Sequence, residues 1–270
     1  MRIFALSAVK NEADIIRYNL QEACKWAHKI FVLDNGSTDG TWEIVQSMAS
    51  EQIIPWKQSF QPFYDGIRGE LFNAFRHLAQ EGDWWCFRLD ADEFYADSPT
   101  QFLAAVPARY HFVASDTIHF VLTRQDIAEY TFTGDAAHDL PLIRYYAKKT
   151  WSEARFFRHR PKMEWPLGAE TPTHMGVLYP KRIKIKHYQY RSLMQIERRV
   201  QVRLNARKEG FVGWDHASNE DVNSYLDDRS NLHLYQNDQT WDLHGSHNKY
   251  FQRRYDQWLK WLLHGLGIYR

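Results

Sequence analysis

Two aspartates separated by a single residue give the sequence its most distinctive chemistry. They lie in the run DADE (90–93), which directly follows WWCFRL (84–89), a nearly continuous apolar segment of strand length. A strand there would hold both carboxylates at one edge of a sheet, where their mutual repulsion favours a bound cation. Oxygen ligands with open coordination positions suit Mg²⁺ or Mn²⁺ holding a diphosphate. The alternative is that Asp90 and Asp92 cap a helix beginning near Glu93 and stay solvated.

A second polar cluster, DNGSTDGT (34–41), follows the apolar run KIFVL (29–33). Its residue types favour turns and positive φ angles, so a turn is expected directly after a strand. In that position Asp34 can accept a hydrogen bond from a ribose hydroxyl or a base N–H, while the turn amides meet a phosphate or cap the next helix. Asp39 is also a candidate helix N-cap, and that role is compatible with ligand binding by Asp34.

His187 lies in RIKIKHYQY (182–190), whose alternation of apolar and polar residues predicts a half-exposed strand. Its basic neighbours are Lys184, Lys186 and Arg191. Spacing alone favours an ordinary surface or core histidine over a ligand. The residue types by themselves therefore leave the role of His187 open.

Apolar runs and segments of helical spacing alternate through the first 95 residues. The strand-like runs lie at 2–9, 29–33, 53–56 and 84–89, and the helical patterns at 15–27, 41–49 and 65–80. This alternation predicts an α/β protein with a mostly parallel sheet and helices on both faces, in which ligands bind beyond the carboxyl ends of the strands. Three polar clusters, at 10–12, 34–39 and 90–93, fall at those ends.

The alternation of strand and helix patterns weakens after residue 100. A strand is expected at 114–123, and a basic helix at 192–209, capped by its first residue and ended by the glycine that follows it. The segment 249–263 has amphipathic helical spacing, with aromatic and aliphatic residues on one side and basic residues on the other. That pattern allows a contact with a membrane surface, and the alternative is packing against the rest of the protein.

Composition limits the class of protein. The chain has 270 residues, 44% of them hydrophobic, and 34 basic residues balance 33 acidic ones, so no overall field attracts nucleic acid. Its two cysteines lie in apolar segments, which favours a reducing compartment over a disulfide framework. The first residues lack the pattern of a signal peptide, and no apolar stretch approaches the roughly 20 residues that span a bilayer. A cytoplasmic location is expected, with a peripheral contact at the inner membrane face left open.

Four motifs together resemble the family 2 glycosyltransferases of the GT-A fold. They are AVKNE (8–12), VLDNGSTDGT (32–41), LDADEF (89–94) and HYQYRS (187–192). The resemblance implies a GT-A-like catalytic domain over 1–210, with a nucleotide-binding half at 1–95 and an acceptor-side half at 96–210. Residues 211–270, which lie beyond the resemblance, are expected to form a C-terminal helical extension.

The resemblance also implies a nucleotide-diphospho-sugar site. The residues expected to bind the donor are Val9, Asn11, Glu12, Asp34, Asn35, Asp39, Arg68, Asp90, Ala91 and Arg191. Those expected to bind Mn²⁺ or Mg²⁺ are Asp90, Asp92 and His187. The metal would act as a Lewis acid that stabilises the departing nucleoside diphosphate.

Family 2 enzymes are similar in inverting the anomeric centre, which implies a carboxylate that deprotonates the acceptor hydroxyl. No Glu-Asp pair stands in the expected stretch, so the base cannot be carried over from the family. Glu170 is the residue we predict, because its loop, rich in glycine and proline, precedes the strand of His187. Glu153, Glu164 and Asp135 remain candidates, and Glu170 can also be an ordinary exposed loop residue.

The predicted activity is transfer of a hexose-type unit from a nucleotide sugar to a glycan or lipid-linked glycan, such as a lipopolysaccharide or capsule intermediate. Two other classes of protein remain open. A phosphoryl or nucleotidyl transferase would use the same metal-binding carboxylates. A non-catalytic protein that binds sugars or partners would keep the fold and use its aromatic residues for binding.

Overall fold

The computed structural model describes residues 1–208, 221–237, 240–243 and 252–268. In chain order the elements are β1 (Ile3–Val9), α1 (Ile16–Ala23), β2 (Lys29–Asp34), α2 (Thr41–Ser47), β3 (Ile53–Gln58), α3 (Ile67–Phe75), β4 (Trp84–Cys86), β5 (Glu93–Tyr95), α4 (Pro99–Ala104), β6 (Phe112–His119), α5 (Arg124–Glu129), α6 (Ala136–Asp139), β7 (Tyr145–Tyr146), β8 (Ala154–Arg158), β9 (Ile183–His187), α7 (Leu193–Lys208), β10 (His233–Leu234) and α8 (Arg254–Gly265).

Eight of these strands form one sheet in the order β3-β2-β1-β4-β8-β6-β9-β5. The pairs β1–β2, β1–β4, β2–β3 and β6–β9 are parallel, whereas β8 runs antiparallel to both of its neighbours and β5 antiparallel to β9. The predicted α/β class with a mostly parallel sheet is therefore confirmed. Strands from both sides of residue 95 share the sheet, and the division of the chain at that residue stays a prediction.

The side chains of β1 alternate between two apolar cores, as the period of a strand requires. Ile3 and Ala5 belong to the core that also buries residues of α1, α2 and α7. Phe4 and Leu6 belong to the core on the opposite face, which buries α3. Each fully buried side chain of this size contributes roughly 1.5–3 kcal/mol. The helices thus cover both faces, as predicted, and hold the central strands rigidly.

The acidic run 90–93 does not start a helix. Glu93–Tyr95 is extended and pairs with β9, with Glu93 opposite His187. The interpretation of Asp90 and Asp92 as caps of a helix near Glu93 is therefore wrong. The backbone groups of this segment bond to β9 at the edge of the sheet, and this pairing replaces the hydrogen bonds that a helix would make.

Two predicted boundaries differ from the structure, and a third lies outside the described residues. The strand predicted at 84–89 ends as regular structure at Cys86, although the amides of Phe87 and Leu89 still bond to neighbouring segments. The C-terminal helix begins at Arg254, and the residues between 243 and 252, where its start was predicted, lie outside the described part of the chain. The glycine predicted to end α7 also lies outside it. Among the helices that are described, none is both long and apolar enough to cross a bilayer.

Candidate active site

A cleft of about 730 Å³ opens at the carboxyl ends of β1, β6 and β9. The predicted residues that line it are Val9, Asn11, Glu12, Asn35, Arg68, Asp90, Ala91, Asp92, Glu170 and His187. Asp34, Asp39 and Arg191 are not part of its wall. The fold thus brings most of the predicted residues together from six separate segments of sequence.

The loop after β1 is fastened to the turn after β2. The Asn11 amide donates to Ser37 Oγ at 2.8 Å, and Asn11 Oδ1 accepts from the Thr38 amide at 2.8 Å. The Glu12 amide donates to Thr41 Oγ1, also at 2.8 Å. Asn11 has a φ of 54°, a conformation that asparagine tolerates better than most residues. The polar side chains of the turn therefore fix the loop that forms one wall of the cleft.

Asp34 and Asn35 each retain a buried acceptor. Asp34 Oδ1 accepts from the Ser37 amide at 2.8 Å and from Gln58 Nε2 at 3.1 Å. Asp34 Oδ2 and Asn35 Oδ1 are buried without a hydrogen-bond partner among the described residues. Buried polar atoms are normally paired, so an unpaired one beside a cleft suggests an interaction that a ligand or water completes. Of the two residues, only Asn35 lines the cleft.

Asp39 has a local role. Its Oδ1 accepts from the amide and the hydroxyl of Thr41, at 3.1 and 2.5 Å, and its Oδ2 accepts from the Ala13 amide at 3.1 Å. Both oxygens are therefore engaged. The N-cap of α2 is Gly40, one residue later, so the predicted N-cap position of Asp39 is wrong. The predicted contact of Asp39 with the donor stays a prediction that this geometry does not support.

Arginines form ion pairs with the carboxylates of the acidic run 90–93. Asp90 is hydrogen-bonded to Arg68 and lies 3.5 Å from Arg155 Nη1. Arg155 is almost fully buried and also binds both oxygens of Glu93, at 2.6 and 2.5 Å. Burial alone would raise the pKa of Asp90, but Arg68 and Arg155 lower it below its ordinary value. Burial prevails at Glu93 and raises its pKa to about 7.

Asp92 is held between a histidine and a further arginine. Its Oδ2 lies 3.3 Å from His187 Nε2 and 2.9 Å from Arg199 Nη1. Burial works against the charged carboxylate, yet His187 and Arg199 bring the pKa of Asp92 well below its ordinary value. Burial likewise disfavours a charged His187, but Asp92 raises its pKa. The second ring nitrogen, His187 Nδ1, lies 2.9 Å from His119 Nδ1.

The predicted metal ligands fit an ion only in part. Asp92 Oδ2 and His187 Nε2 are close enough to share one ion, and both belong to ligand types that bind divalent metals. The carboxylate of Asp90 is instead engaged by Arg68 and Arg155. Within the described ranges, no group of three or more His, Cys, Asp or Glu side chains is arranged to hold a metal. The three-residue site therefore stays a prediction.

Arg191 connects the segment before α7 to the loop after β1. Its Nη2 donates to Glu12 Oε2 at 2.6 Å, and its Nε donates to Asp14 Oδ2 at 2.8 Å. Burial opposes the charge, but Glu12 and Asp14 raise the pKa of Arg191. Because its side chain is buried outside the cleft wall, Arg191 supports the loop after β1. The structure does not bring it to the predicted donor contact.

Two candidate bases lie in the cleft. Glu170 accepts from Arg88 Nη2 at 2.5 Å, and its side chain is 48% exposed. Glu153 also pairs with Arg88, and although burial disfavours its charge, Arg155 and Arg88 lower its pKa. Asp135 instead caps α6, and neither it nor Glu164 lines the cleft.

Sequence reasoning missed Arg155, Arg199 and His119, all of which line the cleft. Arg155 lies between apolar residues of ARFFR (154–158), and a buried arginine in such a strand requires carboxylate partners. Arg199 lies on the predicted basic helix, but only the packing of α7 shows which of its arginines enters the cleft. Nothing in the sequence around His119 indicates that this residue lines the cleft.

The fold is that of an α/β protein with a cleft at the carboxyl edge of its sheet, the place where ligands bind in such sheets. Residues 6–172, more than half of the chain, match Glycosyl transferase family 2, and the chain belongs to that family. The solved structures that match include mannosyl-3-phosphoglycerate synthase from Rubrobacter xylanophilus, at 14% identity and a TM-score of 0.35, covering 80% of this chain and 77% of that one. No curated protein matches the chain.

Proposed function

We propose that this glycosyltransferase moves a hexose-type sugar from a nucleotide-diphospho-sugar to a glycan acceptor, with inversion. One observation carries the proposal: in a family 2 chain, the loop after β1, the acidic run and several arginines line a single cleft. The loop and Asn35 supply polar groups for the nucleoside. The arginines supply positive charge for the diphosphate, which guanidinium groups bind well.

A divalent ion, Mn²⁺ or Mg²⁺, belongs to this proposal, with Asp92 and His187 as its protein ligands. When bound, it would supply Lewis-acid stabilisation of the charge that develops on the leaving diphosphate. Arg68 lines the cleft beside Asp90 and would favour the same negative charge electrostatically.

Glu170 is the base that we propose. The acceptor hydroxyl oxygen attacks the anomeric carbon while the bond to the diphosphate oxygen breaks, and the bonding electrons leave with the nucleoside diphosphate. The hydroxyl proton passes to a carboxylate oxygen of Glu170. Arg88 holds that carboxylate by one oxygen and leaves the other available, which is the arrangement a positioned base needs.

We further propose a lipid-linked or polysaccharide acceptor, such as a lipopolysaccharide or capsule intermediate, and a cytoplasmic protein that contacts the inner membrane face through α8. The supporting observation is the exposed apolar surface of α8, whose large members are Tyr255, Trp258, Leu259, Trp261 and Leu262. Exposed Arg253 and Arg254 lie at its start. Aromatic residues beside basic ones are typical of helices that lie in a membrane interface.

The test begins with calorimetric binding of a panel of nucleoside diphosphates, with and without Mn²⁺, and continues with turnover of a panel of nucleotide sugars. We expect release of nucleoside diphosphate and sugar, and a loss of about a hundredfold or more in turnover for Asp92→Asn. Glu164→Gln, exposed and outside the cleft, is the control. Transfer of phosphate into the product would identify a phosphoryl transferase. Ligand binding that survives Asp92→Asn unchanged, without turnover, would identify a binding protein.

A further inference from the structure

Arg199 occupies a position at Asp92 that a metal ion would also need. Asp92 Oδ2, the oxygen nearest to His187 Nε2, is also the oxygen that accepts from Arg199 Nη1 at 2.9 Å. Arg199 lines the cleft, and 22% of its side chain is exposed. Its helix, α7, lies beyond the residues that match the family, which end at 172. One partner of the contact, Arg199, therefore lies outside the matched region, and the other, Asp92, lies inside it.

A guanidinium and a divalent ion cannot share this oxygen without cost. Both are cations, and at a few ångströms in a partly desolvated cleft their repulsion is strong. The guanidinium also uses the lone pair that an ion would coordinate. An ion that coordinates this oxygen together with His187 therefore competes with Arg199 for it.

Glu12 gives the displaced guanidinium a second partner. Its Oε1 lies 3.5 Å from Arg199 Nη1, the same nitrogen that contacts Asp92. A small movement of the side chain exchanges one carboxylate for the other, so the arginine does not become an unpaired charge. Arg191 stays on the other oxygen of Glu12 at 2.6 Å, which keeps that carboxylate in place.

We propose that Arg199 competes with the divalent ion for Asp92 and thereby sets the metal affinity of the cleft. In the ion-free cleft Arg199 neutralises Asp92, and when the ion binds, Arg199 moves to Glu12. The inference rests on the proposed function in one respect, namely that the ion binds at Asp92 and His187. The inference assigns Arg199 a role in controlling ion binding at Asp92, and Arg199 lies beyond the residues that match the family.

The experiment measures Mn²⁺ affinity directly, by the electron paramagnetic resonance signal of free Mn²⁺ over the full-length protein without nucleotide. We expect Arg199→Gln to bind Mn²⁺ about tenfold or more tightly than the wild type, because a competing cation is gone. Lys208→Gln is the matched control: it removes the same charge from an exposed position on α7 outside the cleft, and its affinity should equal that of the wild type.

Two further variants make the result specific. In an Asp92→Asn background, Arg199→Gln should give no gain, because the contested carboxylate is absent. Arg199→Lys retains the charge, should fall between wild type and Arg199→Gln, and decides the question if the glutamine variant does not fold. Equal Mn²⁺ affinity in wild type and the Arg199 variants, or binding by none of them, would overturn the competition. Turnover of nucleotide sugars by the wild type tests the proposed function separately.

Discussion

At the scale of single residues, the carboxylates of the acidic run, Glu12, Glu153 and Glu170 form a network in which each contacts an arginine. Arg155 alone contacts Asp90, Glu93 and Glu153. One planar guanidinium with five donors can serve several carboxylates at once, which a lysine cannot do as well. Among the cleft carboxylates, Glu170 combines contact with a single arginine and a half-exposed side chain. That combination makes Glu170 the best-placed group to accept a proton from a substrate.

Replacing Glu170 by Gln should lower kcat for sugar transfer by about 10²–10⁴, because the variant cannot take the acceptor proton. The Kd for the nucleoside diphosphate should stay within about threefold, since the loss affects chemistry more than binding. Steady-state kinetics and calorimetry measure the two quantities. If Glu153→Gln loses activity and Glu170→Gln keeps it, Glu153 is the base.

At the scale of elements, the loop that carries Glu170 rests on the segment before α3. A Cβ added at Gly66 would lie 2.6 Å from backbone atoms of Gly168, closer than any real contact. Gly66 has a φ of −81°, so its backbone would accept alanine, and only the close approach requires glycine. The position of Glu170 therefore depends on this contact between two chain segments.

Gly66→Ala should displace the loop at 168–170. We expect a loss of stability of about 1–3 kcal/mol from overpacking, together with a fall in kcat. Urea unfolding and steady-state kinetics report these effects. Gly265→Ala, where an added Cβ meets no atom within 4 Å, is the control and should change neither. Full activity in Gly66→Ala would show that the loop does not depend on this contact.

A second contact between elements joins the starts of β1 and β4. The amide and side chain of Arg2 donate to Asp83, at 2.7 to 3.0 Å. Burial disfavours the charged carboxylate, but these bonds and the Gln80 amide lower the pKa of Asp83 below its ordinary value of 3.8. Because the pKa of Asp83 is lower in the folded than in the unfolded protein, its charge stabilises the fold fully at pH values above the unfolded pKa. This stabilisation is lost as the pH falls through the folded-state pKa.

Asp83→Asn should therefore cost about 1–3 kcal/mol at pH 7, because buried donors lose a charged acceptor. The difference in the free energy of unfolding between Asp83→Asn and the wild type should shrink as the pH falls below about 4. Urea unfolding at several pH values measures it. Glu22→Gln, which breaks an exposed pair with Lys25, should cost no more than about 1 kcal/mol. A difference that grows toward low pH would contradict this account.

At the scale of the whole molecule, α8 turns its large apolar residues outward. The ring of His264 contacts His111 with centroids 4.2 Å apart, while Trp258 and Trp261 are 62% and 46% exposed. His111 immediately precedes β6, and His119 ends it, so α8 lies at the end of the sheet opposite to the cleft. A membrane contact through α8 would leave the cleft free.

Replacing Trp258 and Trp261 together by Ser should weaken binding to vesicles that contain anionic lipid by about tenfold or more, because the apolar face loses its two largest side chains. Co-sedimentation of the full-length protein measures the binding, and uncharged vesicles test the contribution of the basic residues. Tyr130→Ser, an exposed aromatic on α5's C-terminal side, is the control. A wild type that does not sediment with either vesicle would contradict the membrane contact.

The sequence alone determined the class of fold and predicted the edge of the sheet at which the cleft opens. Alternating strand and helix patterns in residues 1–95 predict the parallel half of the sheet, because side-chain periodicity is a local property. Residues such as Asp92, Asn11 and Glu12 directly follow those strands, so their place at the carboxyl edge follows from the pattern.

Only the tertiary structure decided which charges meet. Arg199 lies 107 residues from Asp92, and Arg155 lies 62 residues from Glu93, yet each pair is in contact. Arg191, Asp34 and Asp39, predicted as donor contacts, lie outside the cleft wall because they pair with neighbouring polar groups instead. Asp34 and Asp39 bond within their own turn. The contacts of Arg199 and Arg155 depend instead on how α7 and β8 pack against the first half of the chain, and no local pattern specifies them.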